Sequence, residues 1–212
     1  FIDWKREPGK SGRKDAYYDF TDQGKNYRLV QKVRTGRVFF QSQQRQIAAG
    51  PCIENDNQII NFINSQYMNW LQNNHWLICH ASGLVYKDSQ KQKGIAIAGL
   101  SGGGKSTLML QLLEQENFSF LSNDRLFIKS DDTPTSHPPF LKEETGGLAM
   151  LGIAKLPRIN PGTIIGNPLL HPLLSEQQKN DFQKLEKEVL WDIEEKYDVI
   201  IGQLYGNEKI SH

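Results

Sequence analysis

The residues most able to do chemistry are Gly99-Leu100-Ser101-Gly102-Gly103-Gly104-Lys105-Ser106. They spell G-x-x-x-x-G-K-[ST], a pattern whose chemistry is the cradling of phosphate. Gly99 and Gly104 stand at its two fixed glycines. Gly102 and Gly103 give the backbone freedom to reach positive φ and turn N–H groups inward. Lys105 is the residue expected to reach the β- and γ-phosphates, and the Ser106 hydroxyl the one expected to bind Mg²⁺. Ser101 and Thr107 complete the expected nucleotide-binding set. The competing reading is a glycine-rich hairpin, but a hairpin has no need of Lys-Ser and an immediate helix.

A nucleotide site also needs an acid to organise the metal and the attacking group. Asp124 ends an apolar run one helix after the loop and is the natural candidate, for metal binding and catalysis alike. Parallel neighbours in a sheet of this kind end on one side, which would bring Asp124 toward Ser106. A turn or capping aspartate is the plainer alternative. Asp198 begins its own apolar run and makes a poorer metal residue. His80 lies near the end of an apolar run, where a core or turn histidine is as ready a reading as a catalytic one. Lys155 and Arg158 put two cations three residues apart in a segment stiffened by Pro157 and Pro161. Such a loop can present positive charge to phosphate or an acidic acceptor, or can simply be solvated. No Cys/His metal cluster and no serine-nucleophile elbow is present.

These residues need elements to hold them. Residues 94–98 form a short apolar run suited to a buried strand, and residues 107–115 are good helix formers. Further strands are predicted at 76–81, 83–86, 118–124, 126–129 and 197–202, with a polar connector at 87–93. Upstream, β-like pieces at 16–20, 27–33 and 38–41 are separated by Asp22-Gln23-Gly24 and Thr35-Gly36. Residues 57–72 read as an amphipathic helix whose Ile59, Ile60, Phe62, Ile63, Tyr67, Trp70 and Leu71 are expected in the core. Residues 175–197 read as a late helix capped by Ser175, with Phe182, Leu185, Val189 and Ile193 as its core stripe. The basic stretch 1–15 and the Asp-, Thr- and Pro-rich segment 131–147 read as loose. The expected division is a β-rich N-terminal portion over 1–74, packed on a core over 75–212. There are no repeats and no convincing linker.

Composition bounds the rest. The chain has 212 residues, 38% of them hydrophobic, with a formal net charge of +1. That balance gives no global argument for nucleic acid or a membrane surface. No apolar run approaches the roughly 18–20 residues of a membrane span. Cys52 and Cys79 suggest no disulfide framework, so a reduced, cytoplasmic setting is expected. No signal peptide is read, but the chain opens on Phe1 without a methionine, as a fragment would.

Over roughly residues 75–166 these features resemble the HPr kinase/phosphorylase family and its HPr-kinase-related members. The resemblance rests on Ile78-Cys79-His80-Ala81-Ser82 before the glycine-rich loop, on residues 99–106, and on Leu121-Ser122-Asn123-Asp124 after it. Residues 155–163 are similar to the Lys-Leu-Pro-Arg-x-Asn-Pro-Gly-Thr segment of the related kinases. The resemblance implies an α/β P-loop kinase core of the HPr kinase/PEP-carboxykinase type, with a β-rich N-terminal portion. It implies ATP and Mg²⁺, transfer of the γ-phosphoryl group to a hydroxyl of a protein serine or small molecule, and an oligomer. It sets His80 beside the transferring phosphate and a proton-accepting acidic pair at positions 123 and 124. Here the chain departs from the family, because Asn123 cannot be a base. The family's later glycine-rich signature is also missing.

Two rival readings follow. Asn123 suits a non-catalytic nucleotide sensor. The loop itself also suits an ABC-type ATPase, although no Leu-Ser-Gly-Gly-Gln signature and no apolar run ending in Asp-Glu accompany it.

Overall fold

In a computed structural model of the chain, residues 5–7, 15–130, 147–153 and 155–211 are described. The rest of the basic N-terminal stretch and almost all of the 131–147 segment lie outside the described residues. The chain is mixed α/β and divides into two compact units, Phe1–Trp70 and Leu71–His212.

The first unit is an antiparallel sheet in sequence order: β1 (Lys5–Glu7), β2 (Asp15–Asp22), β3 (Lys25–Lys32), β4 (Arg37–Gln41) and β5 (Gln46–Ala49). β1 occupies part of the stretch whose composition predicts a loose tail. Gln23 and Gly24, at φ 49° and 74°, make the tight turn that joins β2 to β3. Alternation puts Tyr18, Phe20, Tyr27 and Phe40 in one aromatic row with ring centroids 5.0–5.8 Å apart. Phe39 points the other way, is buried, and stacks at 4.5 Å on Phe62 of helix α1 (Asp56–Asn73).

That helix forms where it is predicted, but its apolar residues are not all core. Ile60, Ile63, Tyr67 and Trp70 are exposed, and Leu71 is the buried member. Phe62 meets the sheet through its ring contact with Phe39, while Ile60, Ile63, Tyr67 and Trp70 lie on the exposed side of the helix.

The second unit is built on β7 (Ala81–Lys87), which lies between β8 (Gln92–Ala98) and β9 (Phe118–Ser122). Both pairings are antiparallel, with Leu84 opposite Ile95 on one side and Phe120 on the other. The expected parallel neighbours are therefore replaced. β8 and β9 run in the same direction but are separated by β7. Their C-terminal ends still emerge at the same edge. β8 is an edge strand in which only Ile95 and Ile97 are half-buried, whereas the central Ala81–Val85 stretch is buried.

Helix α2 (Lys105–Leu113) packs across this sheet and buries Met109, Leu110 and Leu113 completely. Each such side chain contributes about 1.5–3 kcal/mol of transfer free energy. They join Leu84, Phe120, Ile164, Leu170 and Val199 in one core. A second sheet orders β11 (Leu148–Gly152), β10 (Leu126–Ser130) and β6 (Leu77–Cys79). The predicted strand at 76–81 is thus short, and Leu77 is exposed.

Downstream, three expectations change. Residues 155–163 are not one rigid loop. β12 (Arg158–Ile159) leads through Asn160 into helix α3 (Pro161–Ile165), where Pro161 occupies the first turn and Asn160 Oδ1 accepts from Thr163 N. The late helix is broken into α4 (Glu176–Gln183) and α5 (Lys187–Asp192). Ser175 does cap α4, with Gln178 closing a reciprocal capping box. The expected stripe holds only in part: Phe182 packs on the core and Ile193 is half-buried, but Leu185 and Val189 are exposed and Leu190 is buried instead. The 197–202 strand is only β13 (Tyr197–Asp198), followed by the short helix α6 (Ile201–Leu204). No helix among the described residues is long and apolar enough to cross a membrane.

Candidate functional site

The loop from β8 to α2 carries the glycine-rich pattern. Gly102 and Gly104 adopt φ of 78° and 76°, a left-handed conformation that other L residues rarely take. Gly103 N donates to Leu100 O at 3.1 Å, and a side chain at Gly103 would press on that same oxygen. The Lys105 side chain is buried to 9% exposure and donates to Gly99 O at 3.1 Å and Leu100 O at 2.9 Å. The ammonium is thereby held over the loop, at the start of α2.

One edge of the sheet collects the other groups. Asn123 follows β9 and is buried to 1% exposure. Its Oδ1 accepts from Ser106 Oγ at 3.1 Å and from Ser82 Oγ at 2.7 Å. Asp124 comes next with φ of 65°, an uncommon conformation for a residue other than glycine, and lines the cavity. The carboxylate lies between the His80 imidazole, Nε2 at 3.6 Å, and the Lys155 ammonium, Nζ at 3.6 Å. Thr107 Oγ1 and Thr163 Oγ1 are 2.9 Å apart and tie α2 to α3.

The cavity so formed has a volume of about 350 Å³. Its walls bring together His80, Ser101, Gly102, Gly103, Gly104, Lys105, Ser106, Thr107, Asp124, Lys155 and Arg158, every sequence-derived site residue except Gly99. Gly99 serves from behind, through its carbonyl on Lys105. Arg158 is not a free cation, because its Nε pairs with Asp198 Oδ1 at 3.2 Å. Asp198 thus has a local role that its sequence position did not suggest.

Several participants were not legible in the sequence as site residues. Asn123 reads there only as a departure from an acidic pair, yet it is the acceptor that orients the Ser106 hydroxyl. Trp191, Lys196, Asn160 and Thr163 also line the cavity. Trp191 lies 28 positions beyond Thr163, so only the folded chain reveals their closeness.

The cavity is rich in cations. Among the described residues lining it, Lys105, Lys155, Lys196 and the Asp198-paired Arg158 outnumber the one carboxylate, Asp124, a balance that suits a polyanion. Among the described residues no three His, Cys, Asp or Glu side chains gather to hold a metal. Ser106 Oγ and the Asp124 carboxylate are hard oxygen donors. With phosphate oxygens and water they fit Mg²⁺, which is commonly held by one or two side chains plus substrate. No family model, no curated protein and no solved structure matches the chain.

Proposed function

We propose that this chain is an ATP-dependent kinase with a P-loop core, transferring the γ-phosphoryl group to a hydroxyl of a protein serine or small molecule. One observation carries the reading. The hydroxyl of Ser106 is hydrogen-bonded to Asn123, the residue after β9, and the next residue, Asp124, lines the same cavity. Phosphate-binding loop and candidate base therefore share one chamber.

In this reading the backbone N–H groups of residues 101–106 other than Gly103, whose N–H is given to Leu100 O, hold the phosphates, with Lys105 swinging from the loop carbonyls onto the terminal ones. Ser106 and Asp124 would hold Mg²⁺, which would neutralise charge on the phosphate oxygens. Asp124 accepts the proton of the acceptor hydroxyl while that oxygen bonds to the γ-phosphorus. The β–γ bridging oxygen leaves with ADP. Lys155 and His80 flank the carboxylate and face the charge that develops on the transferring group. The neutral Asn123 amide favours a second reading, a nucleotide sensor that binds ATP without transfer.

The deciding experiment incubates the purified protein with Mg²⁺, γ-labelled ATP, serine, other hydroxyl compounds and a cell extract. A kinase moves label onto a hydroxyl. Bound nucleotide with no labelled product indicates the sensor, and absence of nucleotide binding removes both readings.

A further inference from the structure

We propose that the indole of Trp191 is the platform on which the nucleotide base stacks. The inference rests on the nucleotide-binding reading above and names the part of the site that would recognise the nucleoside.

Two clusters of side chains line the cavity. One holds Asp124 between His80 and Lys155. The other holds the Thr107–Thr163 hydroxyl pair and Trp191. The order of the glycine-rich pattern gives the direction of a bound nucleotide. Lys105 serves the terminal phosphates, so Thr107, two residues further into α2, stands toward the inner phosphate and the nucleoside. Thr163, its partner, adjoins Gly162, and Gly162 lies directly against the indole.

Trp191 is built for such a role. A Cβ on Gly162 would lie 2.8 Å from Trp191 Cδ2 and 3.0 Å from Cε2, so the absence of a side chain there lets the ring rest on the α3 backbone. The residue is nevertheless 44% exposed. Its backbone is fixed by Asn160 Nδ2, which donates to Trp191 O at 3.3 Å, and by the neighbouring Leu190, which is buried. Among the described residues lining the cavity, it is the one indole or phenyl ring. Each base has a π-face, so a stacking platform tolerates different bases and favours the larger purines.

The test measures binding of ATP and of inorganic tripolyphosphate, each with Mg²⁺, to the wild type, Trp191→Leu and Trp191→Phe. Leucine keeps apolar packing on Gly162 without an aromatic face, and phenylalanine keeps a smaller ring. Trp191→Leu is expected to weaken ATP about tenfold and leave tripolyphosphate unchanged, with Trp191→Phe in between. Unchanged tripolyphosphate affinity also shows that the variant is folded. Equal ATP affinity in wild type and Trp191→Leu overturns the platform while the nucleotide site stands. Equal losses for both ligands also overturn it, by giving the ring a packing role alone. A wild type that binds neither ligand overturns the platform and the underlying reading together.

Discussion

Ser106 and Asn123 are joined by a hydrogen bond of 3.1 Å from the serine hydroxyl to the amide oxygen, and Ser82 donates to that same oxygen at 2.7 Å. The amide oxygen has two lone pairs, and both are engaged. Ser106 therefore spends its proton on Asn123 and turns its own lone pairs elsewhere. Ser82 is almost wholly buried, so its hydroxyl depends on this acceptor. Asn123→Ala removes it. The expected loss is about 1–3 kcal/mol of stability, the cost of a buried polar group left unpaired. Urea denaturation of the variant beside the wild type measures it.

Lys105 donates to two loop carbonyls, Gly99 O and Leu100 O, and in the proposed reaction exchanges them for phosphate oxygens. Hydrogen bonds to charged groups contribute about 1.5–3 kcal/mol each. Lys105→Ala is expected to weaken ATP binding or turnover at least tenfold. Calorimetric titration with ATP checks it, and unchanged affinity and turnover would defeat the assignment of the loop.

Asp124 is the carboxylate that lines the cavity, and Asn123 beside it cannot take a proton. Asp124→Asn keeps the shape but removes the base and the charge of a proposed Mg²⁺ ligand. A positioned general base contributes about 10²–10⁴ in rate. Phosphorylated product, followed by mass spectrometry, is expected to fall by at least about a hundredfold, with nucleotide still bound. Undiminished product formation would leave the proton to another group.

The local signals in the sequence were strong where chemistry constrains spacing. The glycine-rich loop, the helix after it and the run ending at Asp124 were all legible because each is a short, continuous pattern. The sheet order was not. Nothing in residues 81–87 announces that this strand inserts between β8 and β9, since pairing depends on contacts distant in the chain. The late helix misled for a different reason. Leu185, Val189 and Ile193 keep helical spacing, but the chain turns between Gln183 and Lys187, so the register of the second piece shifts and Leu190 becomes the buried residue. The partnership of Arg158 with Asp198 was hidden because it joins two strands of two residues each.

Gly152 ends β11 against the end of β9. A methyl group there would overlap the Leu121 carbonyl oxygen and lie 2.8 Å from Ser122 Cβ. Backbone cannot swing aside as a flexible side chain does. Gly152→Ala is therefore expected to cost about 1–3 kcal/mol, as overpacked substitutions do. Because the displaced strand leads into Asn123 and Asp124, loss of ATP-dependent product is expected alongside a lower thermal midpoint. A variant as stable as the wild type would show that the two strands part easily at this point.

Tyr205 carries a pH dependence unrelated to the cavity. Burial is the main cause that pushes its phenol above the usual tyrosine value of 10.0, the Glu114 charge adds to it, and Asn167 opposes it more weakly. A group whose folded pKa is raised binds its proton more tightly in the folded state. Its stabilising contribution is complete below the unfolded value near 10 and is lost as pH climbs through the folded one. Tyr205→Phe has no proton to lose. Wild type and variant are expected to match closely at pH 8, with the variant's urea midpoint falling less between pH 9 and pH 11. Parallel decline of the two midpoints over that range would show that Tyr205 ionises as freely in the folded chain as in the unfolded one.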